Sequence, residues 1–182
     1  DHKKELTDEE VLAAVTENDQ QKNIPHMRSK SGIVVKGMHD LAVRFSKCCN
    51  PVPGDEIVGF VTRGRGMSIH RTDCVNMIHL SDTERERLID AEWEETAAEE
   101  NGGQYLAELK MFAHDRQGLL LEITKIFTEA KIDVKSMNIR TSKKGTASLD
   151  MGFIVHGRDE LNRVIEKLRQ IEGVMDIERT AG

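Results

Sequence analysis

The sequence predicts an α+β chain, in which a small β-rich unit held by a staple precedes an antiparallel sheet with two helices on one face. Three observations predict it. Residues 33–80 contain four short apolar or alternating runs punctuated by Gly and Pro. Residues 104–182 alternate between strand and helix periods. An acidic stretch ending in Gly102-Gly103 separates the two.

Residues 6–15 read as a short helix, with Thr7 and Glu10 at capping-box spacing and Leu6, Val11, Leu12 and Val15 on one face. Residues 17–32 are polar and contain Pro25 and Gly32, a linker pattern. We therefore expect residues 1–32 to be a helix and flexible linker from an upstream domain. The first residues hold neither an initiator Met nor an apolar signal segment. The chain is thus expected to be a piece of a longer, cytoplasmic protein. No apolar run approaches the ~18 residues of a membrane helix.

In the β-rich unit, expected to span 33–93, strands are predicted at 33–35, 41–45, 57–62 and 67–70. Gly64 and Gly66 make a tight hairpin between the last two. Ser81-Asp82 can cap a helical turn, and 88–93 reads as a strand returning to the unit. Such a unit is small for a self-sufficient core. Residues 94–103 read as an acidic linker.

Residues 104–182 run strand 105–112, helix 118–130, strand 134–141, a Lys143-Lys144-Gly145 turn, strand 147–155, helix 159–171 and strand 174–178. The helical spacing puts Leu119, Leu120, Ile123, Ile126, Phe127 and Ala130 on one core face, and Leu161, Val164, Ile165, Leu168 and Ile171 on another. The order βαββαβ in about eighty residues is the ferredoxin-like pattern.

Aromatic residues are 4% of the chain, with one Trp and one Tyr, which argues against a base-stacking nucleic-acid platform. The net charge of −6 is unevenly placed: −7 falls on residues 81–103, whereas 33–80 carry +2 and 104–182 carry +1. Lys47, Arg63, Arg65 and Arg71 cluster in sequence. By composition alone they read as a solvated hairpin tip.

Three cysteines cannot all pair, and a nearby His favours a metal site over disulfides. Cys48 and Cys49 are adjacent, so they cannot both point inward from a strand, but the loop Asn50-Pro51-Val52-Pro53-Gly54 lets both serve. With His70 and Cys74 they form a Cys₃His set suited to structural Zn²⁺. Ordinary buried thiols with a surface His fit the spacing equally well. His39 and His79 are alternative nitrogen donors, and Asp73 is a candidate orienting group.

The segments Gly32–Gly37 (GIVVKG), Arg44–Asp55 (RFSKCCNPVPGD) and Ile69–Cys74 (IHRTDC) carry a resemblance. They are similar to the zinc-finger segment of the long RelA/SpoT-type stringent-response proteins. In that family this segment precedes an ACT domain, which the βαββαβ order fits. The resemblance implies a zinc-stapled domain followed by an ACT domain, with zinc on Cys48, Cys49, His70 and Cys74. It implies contact with large-subunit ribosomal RNA and deacylated tRNA, for which Lys47, Arg63, Arg65 and Arg71 are the candidates. It also implies that the domains making and degrading guanosine tetra- and pentaphosphate lie upstream, leaving this chain a non-catalytic regulatory part of a synthetase/hydrolase that couples ribosome state to those domains.

Asp115 and Gly118 resemble the D-x-x-G-L turn of ACT domains. The resemblance implies an amino-acid effector, such as a branched-chain amino acid, with Leu119, Met137 and Asn138 beside the turn. A well-capped strand–helix turn with no ligand is the competing reading, because Gly118 serves packing in both. Side-by-side association of ACT domains makes a homodimer the expected state. A stand-alone amino-acid sensor with a purely structural zinc unit is the alternative function.

Overall fold

The computed structural model describes residues 31–35, 42–64, 66–95, 97 and 103–180. The expected helix at 6–15, most of the linker after it, Arg65 and most of the acidic stretch lie outside the described residues. The first sheet is built from β1 (Ile33–Val35), β2 (Ala42–Phe45), β3 (Ile57–Val61), β4 (Gly66–Arg71) and β5 (Leu88–Trp93), in the order β1-β5-β3-β4-β2. β3 and β4 form the expected hairpin, pairing Ile57 with Arg71 and Val61 with Met67. β5 returns along β3 and carries β1 on its far edge. β2 runs parallel to β4.

Two short helices connect β4 to β5: α1 (Val75–Ile78) and α2 (Asp82–Arg85). Ser81 caps α2 in a reciprocal box with Glu84, each side chain bonding the other residue's backbone N–H. The core of this sheet is thin. Its buried cluster is Ile33, Val35, Met67, Ile69 and Ala91.

The second sheet holds β6 (Tyr105–His114), β7 (Val134–Thr141), β8 (Thr146–Val155) and β9 (Val174–Arg179) in the antiparallel order β7-β8-β6-β9. Helices α3 (Leu119–Glu129) and α4 (Arg158–Arg169) connect them in the βαββαβ order that the sequence predicts. Along β6 the residues alternate between buried and more exposed, so Ala107, Leu109, Met111 and Ala113 face the helices. α3 buries Leu119, Ile123 and Phe127, and α4 buries Leu161, Val164 and Leu168. Phe127 and Phe153 meet with ring centroids 4.9 Å apart.

One expected core position differs. Leu120 is 46% exposed, because a turn of 100° per residue carries it off the stripe fixed by Leu119, Ile123 and Phe127.

The two sheets meet through packed side chains. Phe45 and Trp93 from the first stack at 5.5 Å, and both meet Tyr105 of the second edge-on, at 5.8 and 5.7 Å. Val52, in the loop after the cysteines, is wholly buried in the core of the second sheet.

Candidate metal centre

Residues 46–50 form a tight turn in which the Asn50 N–H donates to the Ser46 carbonyl at 3.0 Å. Asn50 takes φ +44°, a left-handed conformation that Asn tolerates better than most residues. This reversal lets two adjacent cysteines face one side, as a strand could not. His70 enters from β4. Cys74 is the N-cap of α1, and its side chain makes no capping bond.

The three Sγ atoms and one ring nitrogen all lie within 4.8 Å of one another. Cys48 Sγ is 3.4 Å from His70 Nδ1 and 3.5 Å from Cys74 Sγ, and Cys49 Sγ is 3.9 Å from Nδ1. A tetrahedral ion bonded at about 2.3 Å to sulfur and 2.0–2.1 Å to nitrogen separates its ligand atoms by roughly 3.5–3.8 Å. Three of the separations lie near that range and the set as a whole is somewhat looser, so the four donors can hold a tetrahedral divalent cation after a small closure.

The surroundings prepare the ligands. Ser68 Oγ lies 3.0 Å from His70 Nε2. When Nε2 carries the proton and donates to Ser68, the Nδ1 lone pair is directed at the thiols. The Arg71 N–H donates to Cys49 Sγ at 3.3 Å, and Ser46 Oγ is 2.9 Å from Cys48 Sγ.

Burial pushes the Cys49 thiol up to about 12, reinforced by the neighbouring Cys74 and Cys48. Burial likewise raises Cys74. At Cys48 burial acts upward, but hydrogen bonds from Ser46, Asn76, Cys74 and Cys49 outweigh it and bring the thiol below its ordinary value. Burial, aided by the Arg44 charge, lowers His70 and keeps its imidazole neutral. A neutral imidazole is ready to ligate, whereas two of the thiols need a cation's field to ionise.

Arg71 sits differently from its sequence neighbours. Its side chain is buried, with a two-point ion pair to Asp73 at 2.8 and 2.7 Å. A third nitrogen bridges the carbonyls of Cys49 and Thr180, at 3.1 and 3.3 Å. Arg71 is thus a positioning residue behind the cysteines, and Asp73 orients it. It does not offer its guanidinium to solvent, contrary to the expectation of an RNA contact. Lys47 and Arg63 are exposed, and nothing lies within 4 Å of a Cβ placed on Gly64.

Of the five residues expected around an effector, Asp115, Gly118 and Leu119 lie at the β6–α3 turn and the start of α3, whereas Met137 and Asn138 lie in β7. Met137 and Asn138 are consecutive in β7, so their side chains leave opposite faces of the sheet. Met137 packs against the helix-side core, while Asn138 stands opposite Asp150. Leu119 is buried in that core, and Asp115 and Gly118 lie in the exposed β6–α3 turn.

Ser68 is not among the residues that the sequence singles out. Its signal was the i, i+2 spacing to His70, which places both on one face of a strand.

Comparison with known proteins finds likenesses for both parts of the chain. Residues 33–94 match the RelA/SpoT RIS domain, and residues 101–179 match an ACT domain. A GTP pyrophosphokinase of Escherichia coli strain K12 is 37% identical over 182 residues, covering 98% of this chain and 24% of that protein. A GTP pyrophosphokinase of Streptomyces coelicolor is 38% identical over 148 residues, covering 81% of this chain and 17% of that protein. Among solved structures, the ACT domain of a Chlorobium tepidum GTP pyrophosphokinase is 24% identical. That match covers 42% of this chain and 97% of that one, with a TM-score of 0.38. The chain thus spans about a quarter or less of the length of the relatives it matches.

Proposed function

We propose that this chain, which belongs to the RelA/SpoT family through its RIS and ACT domains, is a non-catalytic regulatory region that reports ribosome state to catalytic domains elsewhere in its parent protein. The observation that carries the reading is the succession of those two domains in one chain, the first built around a closed Cys₃His cluster. Cys48, Cys49, His70 and Cys74 would hold zinc. Bound there, the ion supplies structural cross-linking, because four protein donors leave no position for a reacting water.

The recognition surface in this reading is the exposed side of the β3–β4 hairpin and the cysteine turn. Lys47 and Arg63 present cations there, and Arg65 is their neighbour in sequence. Ribosomal RNA is read by shape and phosphate position, which suits guanidinium groups on an open, Gly-flanked tip. Deacylated tRNA beside that RNA would complete the signal. Binding that favours one arrangement of this region would bias synthesis against hydrolysis of guanosine tetraphosphate by the differential affinity alone. Association of two copies through the ACT sheets would supply the off state.

The test is co-sedimentation with ribosomes. Binding by this chain should fall with salt and be lost in the double variant Lys47→Glu/Arg63→Glu, whose metal content and melting profile stay unchanged. Unchanged binding by that variant would refute the assigned surface. A second reading has a branched-chain amino acid at the β6–α3 turn. Gly118, at φ +81°, caps an eleven-residue helix there and leaves backbone N–H groups for a carboxylate. Calorimetry with valine and leucine decides that reading, and absence of saturable heat removes it.

A further inference from the structure

We propose that the metal centre and the ACT domain are thermodynamically coupled, so that filling the centre holds the two domains together and breaking their joint weakens the metal. The inference rests on the reading that the four residues hold a metal, and concerns how far the consequences of binding extend.

Its basis is the double use of one loop. Residues 48 and 49 supply two ligands, and the six residues after them form most of the wedge set into the ACT domain. The Asn50 carbonyl accepts from Arg179 at 3.2 Å. Val52 is buried among the ACT core residues. The Pro53 carbonyl accepts the backbone N–H of Arg158, at the start of α4, at 2.8 Å. The Asp55 carboxylate takes both terminal nitrogens of Arg179, at 2.7 and 2.9 Å, and faces Arg158 at 3.9 Å. The same carboxylate receives the Val52 N–H at 2.8 Å, so the ion pair and the shape of the loop form together.

A second connection runs behind the ligands. Arg71 follows His70 in β4, and its nitrogens join Cys49 Sγ, the Cys49 carbonyl and the Thr180 carbonyl just beyond β9. The joint is also close-packed. A Cβ on Gly157 would meet the Pro53 carbonyl at 3.1 Å.

An ion on Cys48 and Cys49 orders the turn that carries this wedge. Docking of the wedge in turn orders the turn that carries the ligands. Each event removes conformational freedom that the other would otherwise have to remove, which is positive coupling. Coupling is reciprocal, so it can be measured from the ACT side without touching a ligand.

The experiment uses the whole chain and two variants on the ACT face, Arg179→Gln and Gly157→Val. Gly157 has φ 177°, extended backbone open to valine, so that substitution acts as a wedge only. Zinc affinity is measured by competition with a chromogenic chelator, and cobalt(II) absorption reports the thiolate set. The expected result is zinc affinity weaker on the order of tenfold in both variants, with partial recovery in Arg179→Lys. Trp93, the only tryptophan, stacks in the joint and donates to the Asp55 carbonyl at 3.0 Å. Its emission should shift to the red in both zinc-loaded variants. Wild-type zinc affinity in both variants would overturn the coupling while leaving the metal site standing. A wild-type chain that binds neither cobalt nor zinc would overturn the metal reading and the coupling with it. Should Arg179→Gln fail to fold, Gly157→Val decides alone.

Discussion

Ser68 Oγ and His70 Nε2 stand 3.0 Å apart on the same strand, two residues from each other, both buried. The alternation of a strand puts the two side chains on one face, so β4 itself supplies the partner that settles which imidazole nitrogen faces the thiols. Ser68→Ala removes that partner and keeps all four ligands. Metal affinity should fall by about ten- to a hundredfold, as read by chelator competition, with the thiolate absorption of the cobalt form retained. Unaltered affinity would show that the serine does not position the ring.

Metal removal should separate the two halves of the chain in a melt. Among the described residues the first sheet closes on a cluster of five buried apolar residues, whereas the second is built on a far larger cluster. Chelation, or Cys74→Ala, should abolish the transition of the first sheet and leave β6–β9 with their helices folded. Calorimetry and amide exchange check this. A profile indifferent to chelator would contradict it.

Arg71 and Arg63 should behave in opposite ways. Arg71→Ala strips hydrogen bonds from the Cys49 and Thr180 carbonyls and leaves a void behind the ligands. The loss of stability should be on the order of 2–3 kcal/mol by denaturant titration. Arg63→Ala, at the exposed hairpin tip, should change stability by less than about 0.5 kcal/mol. Equal effects would mean that Arg71 is not structural.

Glu84 gives a pH dependence of known sign. Hydrogen bonds from the Ser81 backbone and hydroxyl hold its carboxyl below the ordinary value. The folded state thus binds fewer protons than the unfolded chain. The cap's contribution is present above the ordinary glutamate range of about 4.3 and is lost as pH falls through the lowered value. NMR titration of Glu84 should show this, and Ser81→Ala should return Glu84 to ordinary behaviour. If Ser81→Ala leaves the titration unmoved, the box is not its cause.

Much of this molecule is readable in one dimension. Leu161, Val164 and Leu168 recur at helical spacing, and α4 buries all three. Ala107, Leu109, Met111 and Ala113 alternate, and β6 buries all four. Leu120 shows the limit of such reading, because an apolar residue next to a core stripe is indistinguishable from a member of it until the helix phase is known. Met137 and Asn138 show a related limit. Neighbours in sequence suggest one pocket, yet strand alternation sends them to opposite faces.

Arg71 is the most instructive case. Sequence proximity grouped it with the hairpin-tip cations, but its register opposite Ile57 in β4 turns it inward onto Asp73, Cys49 and Thr180. Thr180 is 109 positions away. No local pattern contains that distance.

By itself the sequence determined the alternation of strands and helices, because hydrophobic periods of 2 and 3.6 are local properties. It also determined which three thiols and which imidazole were available. Only the tertiary structure decided that Asp55 and Arg179, 124 positions apart, close one joint, and that the cysteine loop serves two domains. Charge pairing between distant segments depends on which surfaces the packed sheets bring face to face, and that is set by burial of the whole core rather than by any spacing along the chain.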